Sequence, residues 1–292
     1  MIPRLLLASA RPQQWSKNLF VFAALVFGQR LDNPGAVLRA AATFGVFCAL
    51  SGAMYLYNDV RDREADRLHP TKRRRPVAAG TLAPGTATAA ATMLAAGGLA
   101  AAWVVAPGVA LVAAVFVVLL ASDSAGLKHV VILDALTVAA GFVLRTLAGA
   151  LAVGVPMSAW LFICTTLLAL FIALSKRRHE LTLLDADAAH HRRSLAEYSP
   201  YLLDQMIAVV AAATLIAYSV YSTSPETVAR FGTPWLGLTI PFVLYGLLRY
   251  LFLVHQRDGG GNPDTILFTD RPLLVSVAGW AAGVVAILYV GP

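Results

Sequence analysis

Between residues 58 and 80 the chain reads Asn58-Asp59-Val60-Arg61-Asp62-Arg63-Glu64-Ala65-Asp66, then His69-Pro70-Thr71-Lys72-Arg73-Arg74-Arg75-Pro76, and closes at Gly80. Asp59, Asp62 and Asp66 fall at i, i+3 and i+7. If the apolar helix before them continues, all three carboxylates share one face. Hard divalent cations such as Mg²⁺ take oxygen ligands, keep several waters and bind through a few carboxylates plus substrate phosphates. The basic run that follows suits anionic oxygens, with arginine gripping phosphate as a fork and lysine acting as a point charge. Carboxylates beside cations at the end of an apolar helix point to a Mg–diphosphate site at a membrane surface. A solvated positive loop with incidental acids is the simpler alternative, and the regular acid spacing speaks against it.

Two further stretches carry charge next to apolar sequence. Ser175-Lys176-Arg177-Arg178-His179-Glu180-Leu181 closes a hydrophobic run, and Lys176 and Glu180 stand at the i, i+4 spacing of a helical ion pair. Alone it reads as a positive membrane anchor; beside the acidic motif it reads as the partner of a second phosphate. In Asp123-Ser124-Ala125-Gly126-Leu127-Lys128-His129, followed by Asp134 and Arg145, ionisable groups enter a span. Such groups are costly in lipid and are directed to a cavity or a partner. Lys128 opens the helix at the proposed site, whereas His129 reads as interfacial. Arg145, about three turns beyond Asp134, is either a cavity cation or a structural bond to a neighbouring helix.

Near the N-terminus, Arg11-Pro12-Gln13-Gln14-Trp15-Ser16-Lys17-Asn18 combines polar donors with an interfacial Trp, and Lys17 and Asn18 come within reach of a phosphate. Arg249, Tyr250, His255 and Asp270-Arg271-Pro272 flank the last basic loop. The glycines of Asp258-Gly259-Gly260-Gly261-Asn262-Pro263 match no nucleotide fingerprint. His190-His191, near Asp185 and Asp187, is either a metal pair or a solvated loop. The sequence holds no nucleophilic triad, Cys-rich zinc pattern or Rossmann motif.

The elements that position these residues are membrane helices. Of 292 residues, 58% are hydrophobic and 13% charged, with a mean hydropathy of +0.69; a soluble domain carries about 25% charged residues. Apolar runs predict about nine spans, near 18–30, 36–57, 84–105, 107–122, 130–153, 158–175, 203–222, 234–254 and 272–290. Residues 1–17 read as an amphipathic helix on the membrane, with the first span retained as an anchor. No linker divides the chain, so 1–292 reads as one domain. Cys48 and Cys164 lie in apolar stretches as small core residues. A net charge of +7 is interleaved with the spans, which speaks for anionic lipid and a phosphorylated substrate and against nucleic acid.

By this layout 19 of the 23 Lys and Arg residues fall on one side; Arg30, Arg39 and Arg230 fall on the other, and Arg145 within a span. The rich side is expected to be cytoplasmic, with the N-terminus in and the C-terminus out. Apart from Asp32 and Glu226, the acids follow the basic residues. Nothing in the positive-inside rule requires that, so the cytoplasmic face is where chemistry is expected.

The motif Asn58-Asp59-x-x-Asp62-x-x-x-Asp66 resembles the UbiA superfamily of intramembrane prenyltransferases. Within it, Arg11-Pro12-x-Gln14-Trp15-x-Lys17-Asn18, His69-Pro70-Thr71-Lys72-Arg73-x-Arg75-Pro76, Gly126-Leu127-Lys128-His129 and Lys176-Arg177-x-x-Glu180-Leu181 are similar to decaprenyl-phosphate phosphoribosyltransferases. The resemblance covers nearly the whole chain. It implies an all-α ring of about nine transmembrane helices around a lipid-open cavity. It further implies transfer of 5-phosphoribose from 5-phosphoribosyl diphosphate to a polyprenyl phosphate, in the plasma membrane, as a step of cell-wall precursor synthesis. On this reading Asp59, Asp62 and Asp66, assisted by Asn58, hold Mg²⁺ on the diphosphate. Lys72, Arg73 and Arg75 hold donor phosphates. Lys128, Lys176 and Arg177 hold the donor 5-phosphate or the lipid phosphate, and Lys17, Asn18, Arg145 and Glu180 complete the substrate site.

Aromatic prenyltransferases of the superfamily carry a second Asp-rich motif after the sixth span, where this chain has Lys176-Arg177-Arg178-x-Glu180, with Asp185 and Asp187 later, so that the second cluster is largely replaced by cations. One acidic cluster with added cations fits one Mg-bound diphosphate plus separate monophosphates. Asp123 departs from the neutral residue typical of that position, and either adds a metal ligand or faces water. The alternatives are a prenyltransferase using a prenyl diphosphate donor with a polar acceptor, and a non-enzymatic lipid-binding or transport protein. A homo-oligomer is compatible with the sequence.

Overall fold

The computed structural model describes residues 2–69, 72–184, 193–256, 266–267 and 269–290. Pro70 and Thr71 of the basic motif, Asp185, Asp187, the His190-His191 pair, Arg257 and the glycine loop 258–263 lie outside them. The described residues are helical and turn structure, without a strand.

In chain order, α1 (Ile2–Ser9), a 3-10 helix (Pro12–Phe22) and α2 (Ala23–Phe27) precede the first long helix, α3 (Pro34–Arg61). A short α4 (Arg63–Leu68) and a 3-10 turn (Lys72–Arg74) lead to α5 (Pro84–Val105) and α6 (Pro107–Ala125). Another 3-10 turn (Leu127–His129) enters α7 (Leu133–Val153), followed by α8 (Ala159–Leu184), α9 (Arg193–Glu197) and α10 (Pro200–Thr223). The chain ends with α11 (Pro225–Phe231), a 3-10 segment (Trp235–Thr239), α12 (Ile240–Gln256) and α13 (Arg271–Tyr289). Among the described residues, eight helices are long and apolar enough to cross a bilayer, and the protein is an integral membrane protein. Their starts follow local chemistry. Asn33, Ser199, Ser224 and Asp270 each accept a backbone N–H at a helix N-terminus, and Pro occupies the first turn in every case.

The expected span near 18–30 is not built as one regular α-helix. Its place is taken by the 3-10 helix and the five-residue α2. Asn18 is fully buried: its Oδ1 accepts Arg145 Nε at 2.7 Å and its Nδ2 meets Cys48 Sγ at 3.3 Å. Gly149 of α7 leaves room for the Val21 carbonyl, 2.0 Å from where a Cβ would stand. Polar anchoring and a backbone-level approach hold this segment together with the buried Val21, Ala24 and Leu25. In α8 the helix outruns the expected 158–175 because Lys176 and Arg177 both pair with Glu180 one turn on.

The chain forms two compact units. The first comprises Met1–Leu25, Arg30–Ala125 and Leu144–Pro156. Phe47 and Phe116 meet at 5.0 Å in its main core, beside Leu50, Val109 and Ala148. A second cluster, Leu56, Val77, Leu82, Ala87 and Ala91, buries the end of the loop after the basic run. The second unit comprises Val26–Gln29, Gly126–Val143 and Met157–Pro292. Its core gathers Phe171, Leu195, Leu203, Ile207, Tyr250 and Leu273.

Gly149→Ala places a methyl group against the Val21 carbonyl, and the expected loss is about 1–3 kcal/mol of overpacking. A lowered thermal transition in detergent checks it, with Gly154→Ala, whose neighbourhood is open but whose φ is +69°, as the comparison for backbone strain alone.

Candidate active site

In the first unit the acidic motif does not continue as one helix. Asp62 adopts φ −90°, ψ 12° at the end of α3, its N–H bonded to the Asn58 carbonyl, and α4 restarts at Arg63. With the break, Arg75 Nη1 donates to Asp66 Oδ2 at 2.6 Å and to Asp59 Oδ1 at 3.3 Å. Asp59 and Asp66 are buried, at 1% and 4% exposure, and Asp62 is half-buried. Of the three acids expected to share a face, Asp59 and Asp66 converge on one cation, with Asp62 between them at the break.

Arg11 completes the arrangement. It holds a left-handed backbone, φ 51°, donates to Asp59 Oδ1 and lies 4.7 Å from the Tyr55 ring centroid. Its place in the Arg-Pro motif was visible in the sequence, but no spacing rule links it to Asp59 forty-eight residues on. Asn58 Oδ1 accepts from Ser124 Oγ at 2.7 Å, tying the end of α6 to the end of α3.

The loop that carries Arg75 is fixed from both ends. Arg67 Nε donates to the Ala78 carbonyl at 3.2 Å while its Nη1 reaches both Glu64 oxygens, and Val77 and Leu82 are buried. Lys72 is half-buried and Arg73 exposed. Lys17 donates to Gln14 Oε1. Arg145, buried, bonds Asn18 and lies 4.5 Å from the Phe116 centroid, so both polar groups are engaged within the unit.

The second unit holds a different set. Asp134 in the first turn of α7 is fully buried and lies 2.8 Å from Arg177 Nε; Arg177 also donates to Glu180 Oε2. Lys176 reaches Glu180 at 3.8 Å with 40% of its side chain exposed. Tyr198 donates to Asp134 Oδ1 at 2.9 Å and accepts the Ile132 N–H at 2.7 Å. Burial pushes its hydroxyl up to about 12, with Asp134 adding to the rise, so it stays protonated and donates. Ser194 Oγ donates to the Lys128 carbonyl at 3.0 Å. Ser194 and Tyr198 carry no charge and belong to no motif, so residue type and spacing gave no signal for either.

Asp59 and Asp66 offer hard oxygen donors around a position that a cation already occupies in the form of a guanidinium, which suits Mg²⁺ by donor type. Among the described residues no three His, Cys, Asp or Glu side chains gather as a ready-made metal site.

The pair Asp134–Arg177 carries a stability prediction. Arg177→Met strands a buried carboxylate, with an expected cost of about 3–5 kcal/mol. Adding Asp134→Leu removes the stranded charge, so the double variant is expected to melt above Arg177→Met alone in detergent.

The UbiA prenyltransferase family matches residues 18–269 and so runs through both units. The decaprenyl-phosphate phosphoribosyltransferase of Corynebacterium glutamicum is 35% identical over 98% of this chain and 87% of that protein. The one of Mycolicibacterium smegmatis is 34% identical over 97% of this chain and 92% of that protein. A UbiA homolog from Archaeoglobus fulgidus bound to GPP and Mg²⁺ superposes with a TM-score of 0.76, covering 97% of this chain and 99% of that one. At 19% identity that likeness is one of fold. A family match over most of the chain, with relatives about a third identical along nearly all of it, establishes that this protein belongs to the UbiA prenyltransferase family.

Proposed function

We propose that this protein transfers 5-phosphoribose from 5-phosphoribosyl diphosphate to a polyprenyl phosphate, releasing pyrophosphate, at the cytoplasmic face of the plasma membrane. The observation that carries this reading is how charge is divided. Buried carboxylates converge in the first unit, around Asp59, Asp66 and Arg75. In the second, the expected place of another acidic cluster holds Lys176 and Arg177, with Glu180 already shared between them. One diphosphate plus separate monophosphates fits that division; a prenyl diphosphate gripped by two metal clusters calls for acids in both. The relatives' names support a phosphoribosyl group moved to decaprenyl phosphate.

Asp59 and Asp66, with Asp62 at the helix break, would hold Mg²⁺, which supplies charge neutralisation for the departing pyrophosphate. Arg75 and Arg11 stand beside those carboxylates and orient them, and Lys72 and Arg73 receive donor phosphate oxygens. Lys128 and Lys176 hold the remaining phosphoryl group, donor 5-phosphate or lipid phosphate. The bond between ribose C1 and the diphosphate oxygen breaks, its electron pair leaving with pyrophosphate. A lipid phosphate oxygen forms the new bond to C1 from the opposite face, with inversion. The nucleophile is already an anion, so no general base is needed, and catalysis is positioning and charge stabilisation. The isoprenoid tail lies along apolar helices within the bilayer. The basic excess on one side of the spans supports the cytoplasmic orientation.

Purified protein with ribose-labelled 5-phosphoribosyl diphosphate, Mg²⁺ and decaprenyl phosphate is expected to form a labelled lipid with one pyrophosphate per turnover. Labelled product arising instead from prenyl diphosphate and a polar acceptor supports the prenyltransferase alternative. Asp59→Asn and Asp66→Asn are each expected to lower kcat by about 10²- to 10³-fold, with the protein still inserted in membranes. Turnover near normal in both variants removes the metal assignment.

A further inference from the structure

The turn that presents Lys128 is closed by backbone bonds from His129 N–H to the Gly126 carbonyl at 2.9 Å and from Val130 N–H to the Leu127 carbonyl at 3.0 Å, yet it is strained further on. Between Gly126 and Leu133 the backbone passes from a three-residue 3-10 helix through extended Val130 to Ile132 at φ +68°. A β-branched residue in the left-handed region is strained and persists only where its surroundings dictate it. Two side chains from later in the chain do so. Tyr198 accepts the N–H of Ile132 while donating to Asp134, and Ser194 donates to the carbonyl of Lys128 itself. Both are buried, at 5% and 0% exposure, and Asp134 at their centre is fully buried against Arg177.

These bonds meet the turn at two points. Ser194 fixes the peptide carbonyl of the residue that carries the cation. Tyr198 fixes the strained residue four positions on, through an oxygen whose own direction is set by Asp134. Arg177 sets Asp134 in turn, so the chain of contacts runs from α8 through α7 to the Lys128 backbone. Each member has a polar partner inside the second unit, as a network worth keeping buried requires.

We propose that Tyr198 and Ser194 are positioning residues for phosphoryl transfer, holding the Lys128 backbone so that its ammonium meets a substrate phosphate. They touch no substrate and act only through the Lys128 turn. The inference rests on the role given to Lys128 above, and it adds that the site extends to residues of ordinary type that no charge motif marks.

A double-mutant cycle on kcat/KM, with 5-phosphoribosyl diphosphate and decaprenyl phosphate as substrates, tests it. Tyr198→Phe and Ser194→Ala are each expected to lower kcat/KM by about 10²-fold, and Ser194→Thr, which keeps the hydroxyl, to recover most of that loss. In a Lys128→Ala background the same changes are expected to have little further effect, because the group they position is gone. A loss by Tyr198→Phe that multiplies undiminished onto Lys128→Ala shows a general structural role and overturns the inference. So does wild-type turnover in both Tyr198→Phe and Ser194→Ala. If Lys128→Ala itself turns over normally, the role of Lys128 fails first and this inference with it. Should Tyr198→Phe not fold, the Ser194→Ala and Ser194→Thr pair decides alone.

Discussion

Two carboxylates buried at the end of a membrane helix must find a cation, and Arg75 is where Asp59 and Asp66 find it. Removing charge from water costs several kcal/mol per ion and is offset only by good geometry and further hydrogen bonds. The surrounding structure supplies both. Arg11 adds a second guanidinium to Asp59, and the loop behind Arg75 is pinned by Arg67 and by the buried Val77 and Leu82. A buried ion pair is weak grounds for stability. On the proposed function it is a preorganised oxygen pair kept ready for a harder cation and the anion that travels with it.

The second unit solves a different problem. Its buried charges, Asp134 and Arg177, neutralise each other, and what they fix is backbone: the hydroxyls of Tyr198 and Ser194 end on the Ile132 N–H and the Lys128 carbonyl. Lysine is a compact point charge on a flexible stem, so its placement depends on where its Cα is held. In the first unit a single arginine nitrogen, Nη1 of Arg75, bridges two acceptors. The two units use the two cations in the ways their shapes allow.

The spans, the acidic motif and the cationic replacement within α8 were legible in the sequence because each is a local pattern: apolar length, acid spacing, and a basic run after an apolar stretch. The helix break at Asp62 was not, since unbroken periodicity and a one-residue departure give the same letters. The 3-10 segment at Pro12–Phe22 was missed for a related reason. What bends it is a side-chain bond from Arg145, over a hundred residues away, and the missing Cβ of Gly149. Arg145 itself drew notice as a charge within a span, and its partner turned out to be Asn18. Ser194 and Tyr198 matter only through contacts some sixty residues apart in sequence, and no spacing announces those.

The most direct measurement is the anomalous scattering of Mn²⁺, replacing Mg²⁺, in crystals of the protein with 5-phosphoribosyl diphosphate. The account predicts a peak about 2 Å from carboxylate oxygens of Asp59 and Asp66 and in contact with the diphosphate, with Arg75 drawn off at least one acid. Metal held by other residues, or a diphosphate seated away from both carboxylates, would contradict it.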